Sequence, residues 1–470
     1  MTHILKESLR ESKAARWAAL GIVSFAMLCG YFMTDVMAPL KPMLESVLGW
    51  DSESYGLFTS AYGWFNVFFL MIFFGGLILD KMGVRFTGVL SFVLMVIGAG
   101  LKYWAVSDMS LQASSWSFLW WTANMQVWMA SLGFAVFGVG LEVSVVTLTK
   151  VIVKWFHGKE MALAMGLQVA VARIGTIMAM MFSERIAERF GSVSMPVLLG
   201  LLLLCIGLIS YIAYIAMDVK LDRSETEIVS ASDEEPFRLA DIKVILQSNG
   251  FWLIALLCVL FYSAVFPFLK YAPDLMVNKF NVDNFTLFGI NVRAGDIPAM
   301  LPMGTLILTP FFGSLYDRVG KGATIMLIGS LMIFFIHVLF AVPALNGVWV
   351  AVSLCVLLGV AFSLVPSAMW PSVPKIIPQK QLGTAYSLIF YIQNWGLMGV
   401  PYLIGWALDK YCVVGQKTVD GNLQTVYDYT LPMAIFAAFG LAAMFVALLL
   451  KREDRRKGYG LEMPNIKKTD

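Results

Sequence analysis

The chain has 470 residues, 59% hydrophobic and only 14% charged, with a mean hydropathy of +0.76. A soluble globule of that size could not hide so much apolar side chain, so the composition specifies an integral membrane protein. A net charge of +3 gives no support to a nucleic-acid partner. Cys29, Cys205, Cys258 and Cys355 lie in apolar runs and Cys412 in a loop, with no CxxC or Cys/His cluster, so neither a metal site nor a disulfide framework nor any other cofactor is expected.

Residues 1–16 are polar and charged and form no cleavable leader. Apolar runs of spanning length follow at 17–40, 55–79, 86–106, 125–149, 161–183 and 193–217, then at 251–272, 294–316, 323–345, 348–372, 381–408 and 431–450. These predict an all-α protein with twelve transmembrane helices. The expected organisation is an N-terminal segment 1–16, a six-helix bundle 17–217, a linker 218–250, a second six-helix bundle 251–450 and a tail 451–470. Within the linker, Phe237–Leu246 has the spacing of a helix lying flat on the bilayer. The sequon Asn284-Phe285-Thr286 is short enough to arise by chance.

Two features tie the halves together. Gly76-Leu-Ile-Leu-Asp80-Lys-Met-Gly83 closes the second span and Gly313-Ser-Leu-Tyr-Asp317-Arg-Val-Gly320 closes the eighth. Both read G-x-x-x-D-[KR]-x-G, and the second aspartate follows the first by 237 residues, which marks an internal repeat of six-helix units. Basic residues are also lopsided: 24 fall on the face bearing the N-terminus, nine on the opposite face, and Arg173 lies between. That bias predicts both termini in the cytoplasm, most simply across a bacterial inner membrane.

The stretch from Gly138 to Gly175 carries the chemistry. It reads as an apolar helix, a short basic turn near Gly158, and a second apolar helix, with Glu142 in the first and Arg173 in the second. Glu142 lies 16 residues before Gly158 and Arg173 15 after it, so at about 1.5 Å per residue both sit at nearly the same depth. A lone charge in hydrocarbon costs at least about 2.5–3.5 kcal/mol, so such residues face a bundle interior and find a partner. They form either a structural ion pair or a substrate site, in which the two compensate each other until substrate arrives. The arginine fork matches a carboxylate bidentately. Glu142 either accepts an ammonium group or is protonated when desolvated.

Twelve helices with the paired G-x-x-x-D-[KR]-x-G loops resemble the major facilitator superfamily. Three further blocks narrow the likeness: Lys154-Trp155-Phe156-His-Gly158-Lys159-Glu160 running on to Ala172-Arg173-Ile174-Gly175, then Ala264-Val265-Phe266-Pro267-Phe268, then Gln381-Leu-Gly-Thr-Ala-Tyr386 with Gln393-Asn394. With Trp370-Pro371 they are similar to the branch that includes the animal lysosomal dipeptide uniporter, the superfamily's domain-containing protein 1. The resemblance implies facilitated passage of dipeptides, with the two peptide termini on Glu142 and Arg173. It also implies that Asp80 and Asp317, with Arg85 and Arg318 beside them, gate the cytoplasmic side. No lysosomal sorting signal is evident, so a glycosylated partner is not expected.

Further substrate-binding candidates are polar groups on apolar helices: Tyr31, Tyr62, Asn66 and Gln168 in the first half, and Tyr262, Trp370, Tyr391, Gln393 and Asn394 in the second. Interhelical hydrogen bonding is the alternative for each. Asn394 takes roughly the place in span eleven that Arg173 takes in span five. Asp35 either lies near the cavity mouth or caps a helix end before Pro39. Lys102 and Lys270 are expected to snorkel at the outer helix ends, and His337 to serve as packing. No Walker motif or nucleophile–base pair is present, which argues against an ATP-driven pump and against an enzyme. The expected function is a monomeric secondary transporter in the lipid bilayer, moving small zwitterionic peptides by alternating access, facilitated or proton-linked. Its rivals are a proton-coupled organic-anion or sugar-acid carrier and a non-transporting scaffold or receptor.

Overall fold

In the computed structural model the described residues are 12–118, 121–156, 160–224, 239–282, 285–287, 289–378, 381–419 and 422–465. The sequon residue Asn284 and the start of the expected surface helix, Phe237 and Arg238, lie outside them.

The first half begins with α1 (Lys13–Asp35), which is capped by the Ser12 hydroxyl accepting from Ala15 N. The short α2 (Lys41–Leu48) follows. The second span is built in pieces: α3 (Ser52–Ser60), a 3-10 turn at Ala61–Gly63, α4 (Trp64–Phe68), and the start of α5 (Met71–Ser107). Leu70, at φ 55°, interrupts the helix between α4 and α5. The rest of α5 is the third span, separated from the second at Gly83. The hairpin of β1 (Ser115–Phe118) and β2 (Trp121–Asn124) leads into α6 (Met125–Phe156), α7 (Met161–Phe190) and α8 (Met195–Ser224).

After α9 (Leu239–Leu246), the helix read as an interfacial segment, the second half starts with α10 (Asn249–Phe280). A small hairpin of β3 (Thr286–Leu287) and β4 (Ile290–Asn291) precedes α11 (Met300–Val319), α12 (Gly322–Ala341), α13 (Val348–Ile376) and α14 (Leu382–Tyr411). The antiparallel hairpin of β5 (Val413–Val419) and β6 (Asn422–Tyr427) leads to α15 (Thr430–Lys457). Helices α8 and α15 both run seven residues beyond the predicted bundle limits, because charged turns continue an apolar helix into water without penalty. Among the described residues nine helices are long and apolar enough to cross a membrane. The three remaining spans are the broken second one and the more polar α11 and α14.

The repeated motif has a backbone reason. Its final glycines, Gly83 and Gly320, both adopt positive φ, 75° and 72°, a region that L side chains rarely enter. Each lets one span end and the next begin within a few residues. Beyond Gly320 the chain's tail lies against the same loop. Lys321 N and Gly322 N donate to the carbonyls of Glu462 and Leu461, and Asn465 Nδ2 donates to Asp317 at 2.8 Å.

The halves are fastened on the face opposite the termini. Ion pairs among the described residues cross between them there, including Lys41–Asp274, Lys270–Asp35, Arg185–Asp296 and Arg293–Glu188. Hydrogen bonds to carboxylates join them, including Tyr402 Oη to Glu53 at 2.7 Å and Glu53 N to Asp409. At the terminal face every described ion pair stays within one half: Arg16–Glu160, Lys150–Asp80, and Arg85 and Lys154 with Asp218 and Asp222 in the first, Arg456–Glu453 in the second. Among the described residues, ion pairs close the far face and none of those named latches the terminal face across the halves.

Candidate functional site

A cavity open to solvent lies between the halves, about 900 Å³ of empty space when the solvent at its mouth is counted. Helix α1 supplies Tyr31, Thr34 and Asp35, α3 and the turn after it supply Thr59 and Tyr62, and α6 supplies Phe134, Leu141 and Glu142. Arg173 comes from α7. The second half adds Phe266, Pro267 and Lys270 of α10 and Phe390, Gln393 and Leu397 of α14. Two glycines set this geometry. A Cβ on Gly138 would stand 2.3 Å from the Tyr62 carbonyl, and one on Gly175 2.2 Å from that of Leu28. Only glycine lets α6 approach the second span and α7 approach α1 so closely; Glu142, one turn from Gly138, comes to lie beside Tyr62, and Arg173, two residues before Gly175, lies over Tyr31.

Glu142 Oε1 accepts from Tyr62 Oη at 2.7 Å, and Asn394, whose amide donates to Phe390 O at 3.0 Å, lies near enough to influence its carboxyl. Arg173 is held differently. Its guanidinium carbon lies 5.5, 5.7 and 5.2 Å from the ring centres of Tyr31, Phe266 and Phe362. Each ring face attracts a cation by about 0.5–2 kcal/mol without occupying its N–H groups. Among the described residues no carboxylate comes within 4.0 Å of Arg173, so the expected mutual compensation of Glu142 and Arg173 is not what the structure contains. Equal depth along two helices fixes height and not azimuth, and the rings and Tyr62 have taken the partners' places.

A second charged pair lines the cavity. Lys270 bonds Asp35 and donates to Thr34 O at 2.6 Å, while Asp35 also accepts from Thr176 Oγ1 at 2.7 Å. Asp35 is therefore a cavity residue and not a helix cap. The expected snorkelling of Lys270 is corrected, because its ammonium points inward across the interface. Lys102 is corrected too. It is 1% exposed, donates to Met33 O at 3.0 Å, and lies over Phe134 at 4.7 Å and Phe58 at 5.4 Å. Hydropathy gives depth but not the direction a side chain takes. Lys270 had one readable signal, since it follows Phe266 by four residues and so shares its helical face.

The other candidates divide. Tyr31, Tyr62 and Gln393 line the cavity. Tyr262 and Trp370 form a layer behind it: Trp370 Nε1 donates to Tyr262 Oη at 3.1 Å, Tyr262 stacks on Phe266 at 5.1 Å, and Trp370 stacks on Phe390 at 5.1 Å. Asn66 is buried with its amide 3.5 Å from Asn394. Tyr391 packs on Phe73 at 5.5 Å, and Gln168 is buried in α7; neither lines the cavity. His337 is buried, bonded to Ile333 O and flanked by Phe268 at 5.2 Å, a packing residue. Of the motif residues, Asp80 pairs with Lys150, Arg85 with Asp218 at 2.6 Å, and Asp317 with Asn465. Arg318 makes no ion pair among the described residues.

A family model described as the Major Facilitator Superfamily matches residues 23–401. The chain belongs to that superfamily. Among curated relatives, the lysosomal dipeptide transporter MFSD1 of Mus musculus is 31% identical over 407 residues, covering 84% of this chain and 81% of that protein. The Homo sapiens protein of the same name is 29% identical over 408 residues, 84% of this chain and 81% of the relative. Among solved structures, the nucleoside transporter NupG superposes with a TM-score of 0.64 at 16% identity, over 92% of this chain and 98% of that one. Tetrameric PepTSo2 gives 0.60 at 16%, over 94% and 99%. At such identities these structures show the superfamily fold alone. The chain is thus a multi-pass transporter of the major facilitator superfamily.

Proposed function

We propose that this transporter carries small zwitterionic peptides, dipeptides first among them, by alternating access, with the substrate carboxylate on Arg173 and its ammonium on Glu142. The observation that carries the reading is that Glu142 and Arg173 line one cavity yet are not paired with each other. Each keeps hydrogen-bonding capacity for a separate group, and a zwitterion supplies one acceptor and one donor. The names of the relatives support the substrate class, and the basic-residue bias supports cytoplasmic termini. The unlatched Asp80 and Asp317 loops fit gate residues that engage across the halves only when the terminal face shuts. No nucleotide-binding motif is present in the sequence, so transport follows a gradient, of the peptide itself or of protons. Thermal-shift screening of purified protein against dipeptides, single amino acids and simple carboxylates tests the reading. Stabilisation by dipeptides alone supports it, and equal stabilisation by monocarboxylates favours the organic-anion alternative.

A further inference from the structure

The far-face closure holds a buried polar knot that peptide binding does not use. The first half contributes Lys41 and Glu45 of α2, and the second contributes Asp274 of α10, Asp409 of α14, Tyr427 of β6 and Tyr429. Lys41 Nζ donates to Asp274 Oδ2 at 2.7 Å and stands 4.0 Å from Glu45 Oε2. Tyr429 also donates to Asp274 Oδ2. Glu45 Oε1 accepts from Thr425 N at 2.9 Å and lies 3.4 Å from Tyr427 Oη, whose single proton lies closer to Asp409, at 2.8 Å.

Charge and proton accounting in this knot do not close with every acid ionised. Lys41, Glu45 and Asp274 are 1%, 8% and 0% exposed. Two carboxylates face one ammonium, a third waits beyond Tyr427, and one phenol proton serves two acceptors. Glu45 Oε2 and Asp274 Oδ1, both buried, have no hydrogen-bond partner. A buried, unpaired carboxylate oxygen is costly, and protonation removes the cost.

We propose that the closed far face binds a proton at this knot, on Glu45, and that opening the face releases it. The proton neutralises the acid left over by Lys41, and a protonated Glu45 can donate to Tyr427 Oη or another acceptor in the knot. Burial raises the Glu45 carboxyl above its ordinary value, against smaller lowering by Lys41 and Thr425. The groups facing Glu45 are Lys41 on its own helix, Asp274 on α10, Tyr427 on β6 and, through Tyr427, Asp409 on α14. Tyr55 faces Lys41 from α3 at 6.0 Å. The sign follows from the raised value. The closed state holds the proton more tightly than the open, hydrated one, so acid on the far side favours closure. Closure weakens as pH rises from the ordinary glutamate range, about 4.3, through the raised value. One proton changes the closed-to-open ratio by at most about tenfold per pH unit.

The proposal rests on alternating access but not on the identity of the substrate, so its test uses the full chain without peptide. Spin labels are placed on Ser114→Cys and Asn346→Cys, exposed far-face positions in the two halves, with the unsubstituted chain as labelling blank. Distances are measured from pH 4.5 to 8. The short-distance population of the parent should fall as pH rises. Glu45→Gln should stay closed and lose the pH dependence. Asp274→Asn, which leaves Lys41 free to pair with an ionised Glu45, should lose it as well, and Glu45→Asp should keep it. A parent whose distances do not respond to pH, or a Glu45→Gln or Asp274→Asn protein with the parent's slope, overturns the proposal. Failure of dipeptide binding leaves this readout unchanged.

Discussion

The far-face closure brings α3 and α14 backbone to backbone, and a single methyl should pry them apart. A Cβ on Gly405 would stand 2.2 Å from the Ser52 carbonyl oxygen, 2.9 Å from Tyr271 Oη and 3.0 Å from Gly56 Cα. The Tyr271 contact belongs to the same half, so relieving it does not require separating the halves. Ser52 and Gly56 belong to the other half and are backbone, so relief there requires separating the helices. Overpacking of this kind costs about 1–3 kcal/mol. Replacing glycine by alanine inside a helix also stabilises by about 0.5–1 kcal/mol, but that gain is the same in both states and cancels. Gly405→Ala should therefore shift the equilibrium toward the far-open state by about 5- to 160-fold, from RT of about 0.59 kcal/mol applied to that cost. Gly399 lies in the same helix with nothing within 4 Å of its Cβ position, and Gly399→Ala is the control. The assay is alkylation of Thr59→Cys, buried and cavity-lining, by a membrane-impermeant maleimide added from the far side. An unchanged rate in Gly405→Ala, or an equal rise in Gly399→Ala, refutes the reasoning.

Arg173→Lys should lose most dipeptide binding while eluting as a folded monodisperse protein, because lysine keeps the charge but lacks the planar fork; binding close to the parent's by ligand-induced stabilisation would count against the assignment. Asp80→Asn should slow uptake and leave affinity within a few-fold, since the carboxylate pairs with Lys150 at the terminal face, away from the cavity; parallel uptake and binding measurements decide it. Lys270→Met should lower the melting temperature by leaving Asp35, 8% exposed, without its cation. Adding Asp35→Asn should recover part of the loss, since an orphaned buried charge costs more than an absent pair. A double variant less stable than the single one would show that the pair acts in some other way.

Much of this architecture was readable from the chain. Twelve apolar runs, the repeated turn and the two charges at matching depth mark twelve spans in two halves and two cavity residues, because hydropathy and helical rise both encode depth; the superfamily follows from the resemblance of the motif blocks. Direction around a helix axis was not readable in the same way. Hydropathy gives the depth of Lys102 and Lys270 but not that both turn inward, and matching depth does not show that Tyr62 and three aromatic rings stand where Glu142 and Arg173 could meet. Phe134 and Phe362 are not legible in the sequence, because an aromatic residue in an apolar helix carries no local mark of facing a cation. The break at Leu70 has no glycine or proline to announce it. The hairpin of β5 and β6 carries its own mark in the sequence, Asp420-Gly421 between two Val- and Thr-rich runs, but its tie to Glu45 depends on a contact between residues hundreds of positions apart.

Assignment of one peptide end to each charge is tested most directly by titration calorimetry of a single dipeptide in blocked forms. Acetylating the N-terminus removes the group that needs Glu142, and amidating the C-terminus removes the group that needs Arg173. Each leaves one protein charge unpaired in a partly desolvated cavity. Glu142→Gln should partly restore binding of the acetylated peptide, because it removes the orphaned carboxylate, and should do nothing for the amide. If Glu142→Gln instead weakens the zwitterion and both blocked forms equally, Glu142 does not hold the ammonium, and a carrier of organic anions centred on Arg173 becomes the better description.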